Sequence, residues 1–309
     1  MLVQKDKLVP LIIFSMVFLM IPAVVVCGEC LSSQTLADRH DSCTVSEGEE
    51  DPAKPKSDTD NIVGEWKPYE SENEPILSIN EPIYFVVGKD DGETIARFQF
   101  SFKYLMFDPD SVVVKKIGLL KNFNFAYTQT SLWNLSADSK PFEDTNYRPS
   151  FFWEFRKTQG GLSPAFLRTG YEHESNGQGG EDSRSIDTLF FFPAWATLVK
   201  GHQLIVGTKL YSYLDQERNN RDIEDYRGFA DLLLRYGNED GWLVSMLYRY
   251  GMENKNTIQL DLSYPIRKKF LARAGGYFYL QAFHGYGESL LTYDQKQDLQ
   301  LRLGFAIVR

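Results

Sequence analysis

The chain has 309 residues, a formal net charge of -9, 43% hydrophobic and 14% aromatic residues, and only four histidines. The length allows one or two domains, and an all-β barrel of this size is routinely a single one. The acidic balance and the lack of a basic stripe argue against a nucleic-acid partner, and cysteines confined to Cys27, Cys30 and Cys43 argue against a thiol nucleophile or a zinc site.

Residues 1–28 read as an export signal. Lys5 and Lys7 lead an apolar run from Leu8 to Val26, broken by Pro10 and Pro22, with Cys27 and Gly28 at its end. A transmembrane anchor is the rival, because the run approaches the ~20 residues a spanning helix needs. Cys27 is a weaker candidate for lipid attachment. Residues 29–75 are polar and acidic, as in Glu47-Gly-Glu-Glu-Asp-Pro, and carry too little apolar surface to repay ordering. They predict a disordered leader, in which Cys30 and Cys43 can pair in an oxidising compartment.

From residue 76 to 309 the pattern is that of strands. Phe98, Phe100, Phe102 and Tyr104 alternate with Arg97, Gln99, Ser101 and Lys103. Leu299, Leu301, Leu303, Phe305 and Ile307 alternate with Gln300, Arg302, Gly304 and Ala306. A soluble sandwich would bury the apolar rows; a membrane barrel turns them to lipid and the polar rows inward. Runs of about nine to twelve residues suit a tilted span. Aromatics near strand ends (Tyr127, Trp133, Tyr147, Trp153, Trp195, Tyr211, Tyr213, Tyr248, Tyr250) suit interfacial girdles. The reading is an all-β, about twelve-stranded antiparallel transmembrane barrel. Its inward rows carry Arg97, Lys103, Asp231, Arg235, Arg249, Asp261, Arg273 and Arg302, charges of both signs that should pair and fill the lumen. Asp108-Pro-Asp110 and Glu143-Asp144 read as turns, and His202 and His284 as strand-end residues.

The chemistry concentrates in Thr169-Gly-Tyr-Glu-His-Glu-Ser-Asn-Gly-Gln-Gly-Gly-Glu-Asp-Ser-Arg-Ser-Ile-Asp187. His173 and Ser175 fall on one face of a strand, and a hairpin through the glycine-rich turn returns Asp187 beside them. That supplies a nucleophile, a base and an orienting group. A bare His-X-Ser is commonly only a polar strand face. Here the charged partners Arg168, Glu172 and Glu174 claim the inward row, so His173, Ser175 and Asp187 face outward near the membrane boundary. Ionisable groups on a lipid-facing row are costly, and a site there gains most if its substrate is lipid. Backbone N–H groups of Gly177 to Gly180 are candidate oxyanion donors.

Tyr171-Glu-His-Glu-Ser-Asn-Gly177 with Ser183-Arg-Ser185 resembles the signature of the outer-membrane phospholipase A family. Ala126-Tyr-Thr-Gln-Thr-Ser-Leu-Trp133, Pro141-Phe-Glu-Asp-Thr-Asn-Tyr147, Leu262-Ser-Tyr-Pro-Ile266 and Gly285-Tyr-Gly-Glu-Ser-Leu290 follow the same resemblance in order, over roughly residues 80–309. It implies a twelve-stranded outer-membrane barrel of a Gram-negative bacterium, hydrolysing phospholipid acyl esters as a calcium-bound homodimer. It assigns base and nucleophile to His173 and Ser175, an oxyanion donor to Gly177, and calcium ligands to the Ser183 hydroxyl and the Gln178 carbonyl. A partner-subunit carbonyl falls near Ser139, and a dimer-interface glutamine falls on Gln129. The family's third triad residue is typically Asn, and here the position holds Asp187. Glu181 and Asp182 either add calcium ligands or are solvated loop charges. The alternative function is a non-catalytic structural barrel or a small porin.

Overall fold

The structure is a computed structural model that describes residues 75–156, 164–216, 218–266 and 275–309. The expectations placed on the signal, the leader, the cysteines and Arg273 lie outside the described residues. The strands are β1 (Leu77–Ser78), β2 (Ile83–Asp90), β3 (Glu93–Leu105), β4 (Phe123–Asn134), β5 (Phe142–Arg156), β6 (Phe166–Ser175), β7 (Ser185–Val199), β8 (His202–Gln216), β9 (Ala230–Gly237), β10 (Leu243–Tyr250), β11 (Asn256–Pro265), β12 (Tyr277–Gly285) and β13 (Gln297–Val308).

Each strand from β2 to β13 pairs antiparallel with its sequence neighbours, and β2 pairs with β13 to close the sheet. Strands β1 and β2 lie along the same edge of β3, with Leu77 opposite Tyr104 and Tyr84 opposite Gln99. They are one stave interrupted at Pro82, which has no N–H to give a ladder. Side chains of β3 mend the break: Gln99 donates to the Pro82 carbonyl at 2.9 Å, and Ser101 Oγ accepts the Glu81 N–H at 3.2 Å. The barrel therefore has twelve staves, as the alternation predicts.

Exposure decides between sandwich and membrane barrel. On β13, Leu299, Leu301, Leu303, Phe305 and Ile307 are all more than half exposed, while Gln300 and Arg302 are buried. The apolar row faces out and the polar row faces in, the inversion that a lipid solvent requires. Inside, the expected pairing is present. Lys103, Arg156 and Arg168 converge on Glu154 at 2.5 to 2.8 Å. Arg249 grips Asp231 with two bonds, at 2.7 and 2.8 Å. Arg97 reaches Gln259 and Gln281 at 3.1 Å, and Gln259 and Gln281 both donate to Asp261. A buried charge is tolerable only with partners of this kind.

Two sequence expectations need correction. Tyr211 and Tyr213 are not girdle residues: they point inward, donating to the Arg227 and Gly228 carbonyls at 2.8 and 3.0 Å. Glu143 and Asp144 are not a turn but part of β5, with Asp144 only 3% exposed. Asp108-Pro-Asp110 does turn, its Asp108 carboxylate accepting the Asp110 N–H at 2.8 Å.

Candidate active site

Strands β6 and β7 form an unshifted antiparallel pair in which His173 stands opposite Asp187 and Ser175 opposite Ser185. On the inward side of β6, Arg168 bonds Glu154, Lys209 holds Glu172 and Arg227 holds Glu174. Strand parity then puts Tyr171, His173 and Ser175 on the outer face. Strand β7 agrees: Phe190 is buried while Leu189 and Phe191 are exposed, which resolves the Phe190-Phe191-Phe192 run and turns Asp187 outward. Gly170 is needed in this pair because a Cβ there would meet the Phe151 carbonyl at 2.1 Å.

The imidazole Nδ1 of His173 lies 2.7 Å from Asp187 Oδ1, with the two side chains 33% and 26% exposed. That bond fixes the ring so that Nε2 is the nitrogen free to take a proton. Ser175, two residues along, shares its face and stands opposite Tyr147 of β5. Sequence reasoning missed one member. The Tyr171 hydroxyl donates to the same Asp187 Oδ1 at 2.5 Å, and the only signal for it was its position two residues before His173 on the outward row.

The loop from Asn176 to Arg184 is organised by the buried Asn176. Its amide donates to the Asp182 carbonyl at 2.8 Å and accepts the N–H groups of Gln178 and Arg184 at 3.2 and 3.0 Å. Gly177 takes φ +66, and a Cβ there would meet the Tyr147 ring at 3.0 Å. Both facts select glycine, so its N–H follows Ser175 in a fixed turn, as an oxyanion donor must.

Hydrogen bonding also bears on a cation at this loop. Arg184 donates to the Glu181 and Ser183 carbonyls at 2.6 and 2.9 Å, and Asn219 donates to the Gly180 carbonyl at 2.9 Å. With Asp182 held by Asn176, the carbonyls of residues 180–183 are engaged. The Gln178 carbonyl and the Ser183 hydroxyl accept no hydrogen bond among the described residues. Two neutral oxygens left free on a braced loop fit a hard, oxygen-seeking cation. The side chains of Glu181 and Asp182 are exposed. Ser139 lies in the β4–β5 loop at the same end of the barrel, with φ 63. Gln129 is on the outward row of β4, accepting from Tyr127 at 3.0 Å and standing opposite Tyr147.

Above the lumen, Ile223, Leu290 and Tyr293 pack with Ile186. Tyr293 donates to Asp222 at 2.5 Å. Burial first, and then that hydrogen bond, raise its phenol above the usual value, so it stays a neutral donor.

A family model described as Phospholipase A1 matches residues 73–307. Phospholipase A1 of Proteus vulgaris is 32% identical over 192 residues, covering 59% of this chain and 60% of the relative. Phospholipase A1 of Escherichia coli K12 is 33% identical over 180 residues, covering 56% of this chain and 57% of the relative. The chain thus matches less than two thirds of these relatives' length. Among solved structures, outer membrane phospholipase A from Escherichia coli superposes with a TM-score of 0.63 at 24% identity, covering 80% of this chain and 95% of that one. The calcium-bound dimer of the Salmonella typhi outer membrane phospholipase gives 0.63 at 24% identity, covering 76% and 93%. These two likenesses carry the fold.

Proposed function

The chain belongs to the phospholipase A1 family, and we propose that it is a calcium-dependent outer-membrane serine hydrolase of phospholipid acyl esters, with phospholipase A1/A2 and lysophospholipase activity. The observation that carries this reading is the bond between His173 and Asp187 on an outer, lipid-facing row two residues from Ser175. Ser175 Oγ attacks the ester carbonyl as His173 Nε2 takes its proton. The Gly177 N–H receives the developing oxyanion, and His173 returns the proton to the leaving alcohol. Water, deprotonated by His173, then attacks the acyl-serine and releases the fatty acid. Asp187 holds the imidazole in the required tautomer and stabilises it when charged. The free Gln178 carbonyl and Ser183 hydroxyl would hold calcium with a partner-subunit carbonyl at Ser139, and bound calcium supplies positive charge beside the oxyanion. Gln129 would lie in the interface of that homodimer.

The test is fatty-acid release from phospholipid–detergent micelles by the folded protein, with calcium and with chelator. Chelation is expected to stop release. Ser183→Ala is expected to raise the calcium concentration for half-maximal release by about tenfold or more, with unchanged barrel folding. Calcium-independent release would remove the metal from this account. The porin alternative is disfavoured by the charged residues paired inside the lumen, by Arg97 of β3 reaching Gln259 of β11, and by the apolar cluster above.

Tyr171 offers a further check. Its hydroxyl supports the Asp187 carboxylate where lipid gives no water to solvate it, and hydrogen bonds to charged groups are the strong ones. Tyr171→Phe is expected to lower kcat about tenfold with KM unchanged, measured by initial rates. An altered KM with normal kcat would place Tyr171 in substrate binding instead.

A further inference from the structure

A second cluster of ionisable groups stands at the mouth of the barrel, and the hydrolytic site does not use it. An open cavity of about 450 Å³ lies there between the turn after β2, the start of β5 and the loop before β13. Its walls carry Asp90, Asp91, Glu93, Glu143, Asp144 and Glu288, with no lysine or arginine among the lining residues. Glu288 is neutralised from below by Arg302 at 2.5 Å and Arg97 at 3.7 Å. Among the described residues, the Asp90 side chain receives the neutral Gln300 amide at 2.5 Å and no cationic group. The nearby Lys89 turns to the Gly92 carbonyl at 3.4 Å.

Two features set the remaining carboxylates apart from solvated surface charges. The first is Asn134, whose Oδ1 accepts the Ser136 and Ala137 N–H groups at 3.0 Å. That orientation leaves its one NH₂ group donating to both Glu93 and Glu143, so a single amide holds two negative groups side by side. The second is Asp144, 3% exposed. Its Oδ2 accepts the Leu291 N–H at 2.9 Å, while the buried Oδ1 has no hydrogen-bond partner among the described residues. A buried carboxylate oxygen without a donor is costly, and here it lines a cavity whose other walls are negative.

We propose that this cup binds a polyvalent cation through separated carboxylates. No group of three metal-ligating side chains converges on one point among the described residues, and the cavity is far larger than a bare ion. The fitting occupant bridges carboxylates several ångströms apart, chemistry shared by an aliphatic polyamine and by a divalent metal that keeps its waters. The cup shares no residue with the loop assigned to calcium, so it stands or falls independently of the hydrolytic reading.

The test is calorimetric titration of the folded full chain in zwitterionic detergent with EGTA, using spermidine in one arm and Mg²⁺ in the other. One saturable site is expected in at least one arm, and the arm that shows it identifies the occupant. Asp144→Asn and the exposed pair Glu93→Gln/Glu143→Gln are each expected to weaken it about tenfold, while Ser183→Ala leaves it unchanged. Heat-modifiable migration verifies folding, and the exposed pair decides the matter if Asp144→Asn does not fold. Absence of saturable binding in both arms, or binding indifferent to the cup substitutions, overturns the proposal.

Discussion

Ser175→Ala is expected to lower kcat for fatty-acid release by about 10⁴- to 10⁶-fold while the barrel folds as before. The size of the effect follows from what the substitution removes. His173 and Asp187 keep their 2.7 Å bond, and the Gly177 N–H keeps its turn, but no oxygen is left to form the acyl intermediate. Water activated by His173 alone lacks the proximity that makes the serine effective. The side chain is half-buried at the end of β6 and takes part in no ion pair, so losing one hydroxyl there should cost little stability. Refolded variant and parent are compared for heat-modifiable migration, then assayed on mixed micelles with calcium. Retention of more than a few per cent of the parent rate would mean that another group is the nucleophile. Loss of activity together with loss of the folded form would assign Ser175 a structural role.

Much of this site was legible in the sequence because strand parity is rigid. Once Glu172 and Glu174 were assigned inward, no register could put His173 and Ser175 anywhere but outside. The same logic located Asp187, although Phe190-Phe191-Phe192 is apolar on both faces and parity alone could not choose. The choice came from packing, since Phe190 lies against Phe152 and Ala126 within the barrel. Tyr211 and Tyr213 defeated the pattern because tyrosine suits two environments. It lines a girdle at an interface, or it buries its ring and finds a carbonyl for its hydroxyl, as both do here. Glu143-Asp144 looked like a turn because paired acids seldom occupy a strand. Asp144 tolerates the strand because it accepts the Leu291 N–H from a loop 147 residues away, a contact that no local pattern announces. The capping loops were unreadable for the same reason. Their few apolar residues, Ile223, Leu290 and Tyr293, come together only when the barrel closes.

Those loops also carry the support of the strand that presents His173 and Ser175, and Arg227→Leu should expose it. Between His173 and Ser175, Glu174 points the opposite way, into the barrel. Arg227 meets it with two bonds, at 2.7 and 3.1 Å, and Asn146 adds a third at 3.3 Å. The side chains of Arg227 and Glu174 are 8% and 11% exposed. Taking away the guanidinium strands a buried carboxylate, for which a loss of about 3–5 kcal/mol is expected. Denaturant unfolding in detergent measures it. Removing both charges together should behave differently, because a buried ion pair replaced by apolar groups is often neutral. Glu174→Leu/Arg227→Leu is therefore expected to recover most of the stability that Arg227→Leu loses. Activity separates positioning from stability. If Glu174 anchors the strand that presents His173 and Ser175, the double variant stays stable but its kcat falls about 10²-fold, the order expected from a displacement of about 1 Å in a reacting group. Recovery of both stability and rate would show that the outer hairpin holds its geometry without the inner pair. Recovery of stability alone would show that the lumen, remote from lipid, sets the precision of a site that works on the barrel's outer face.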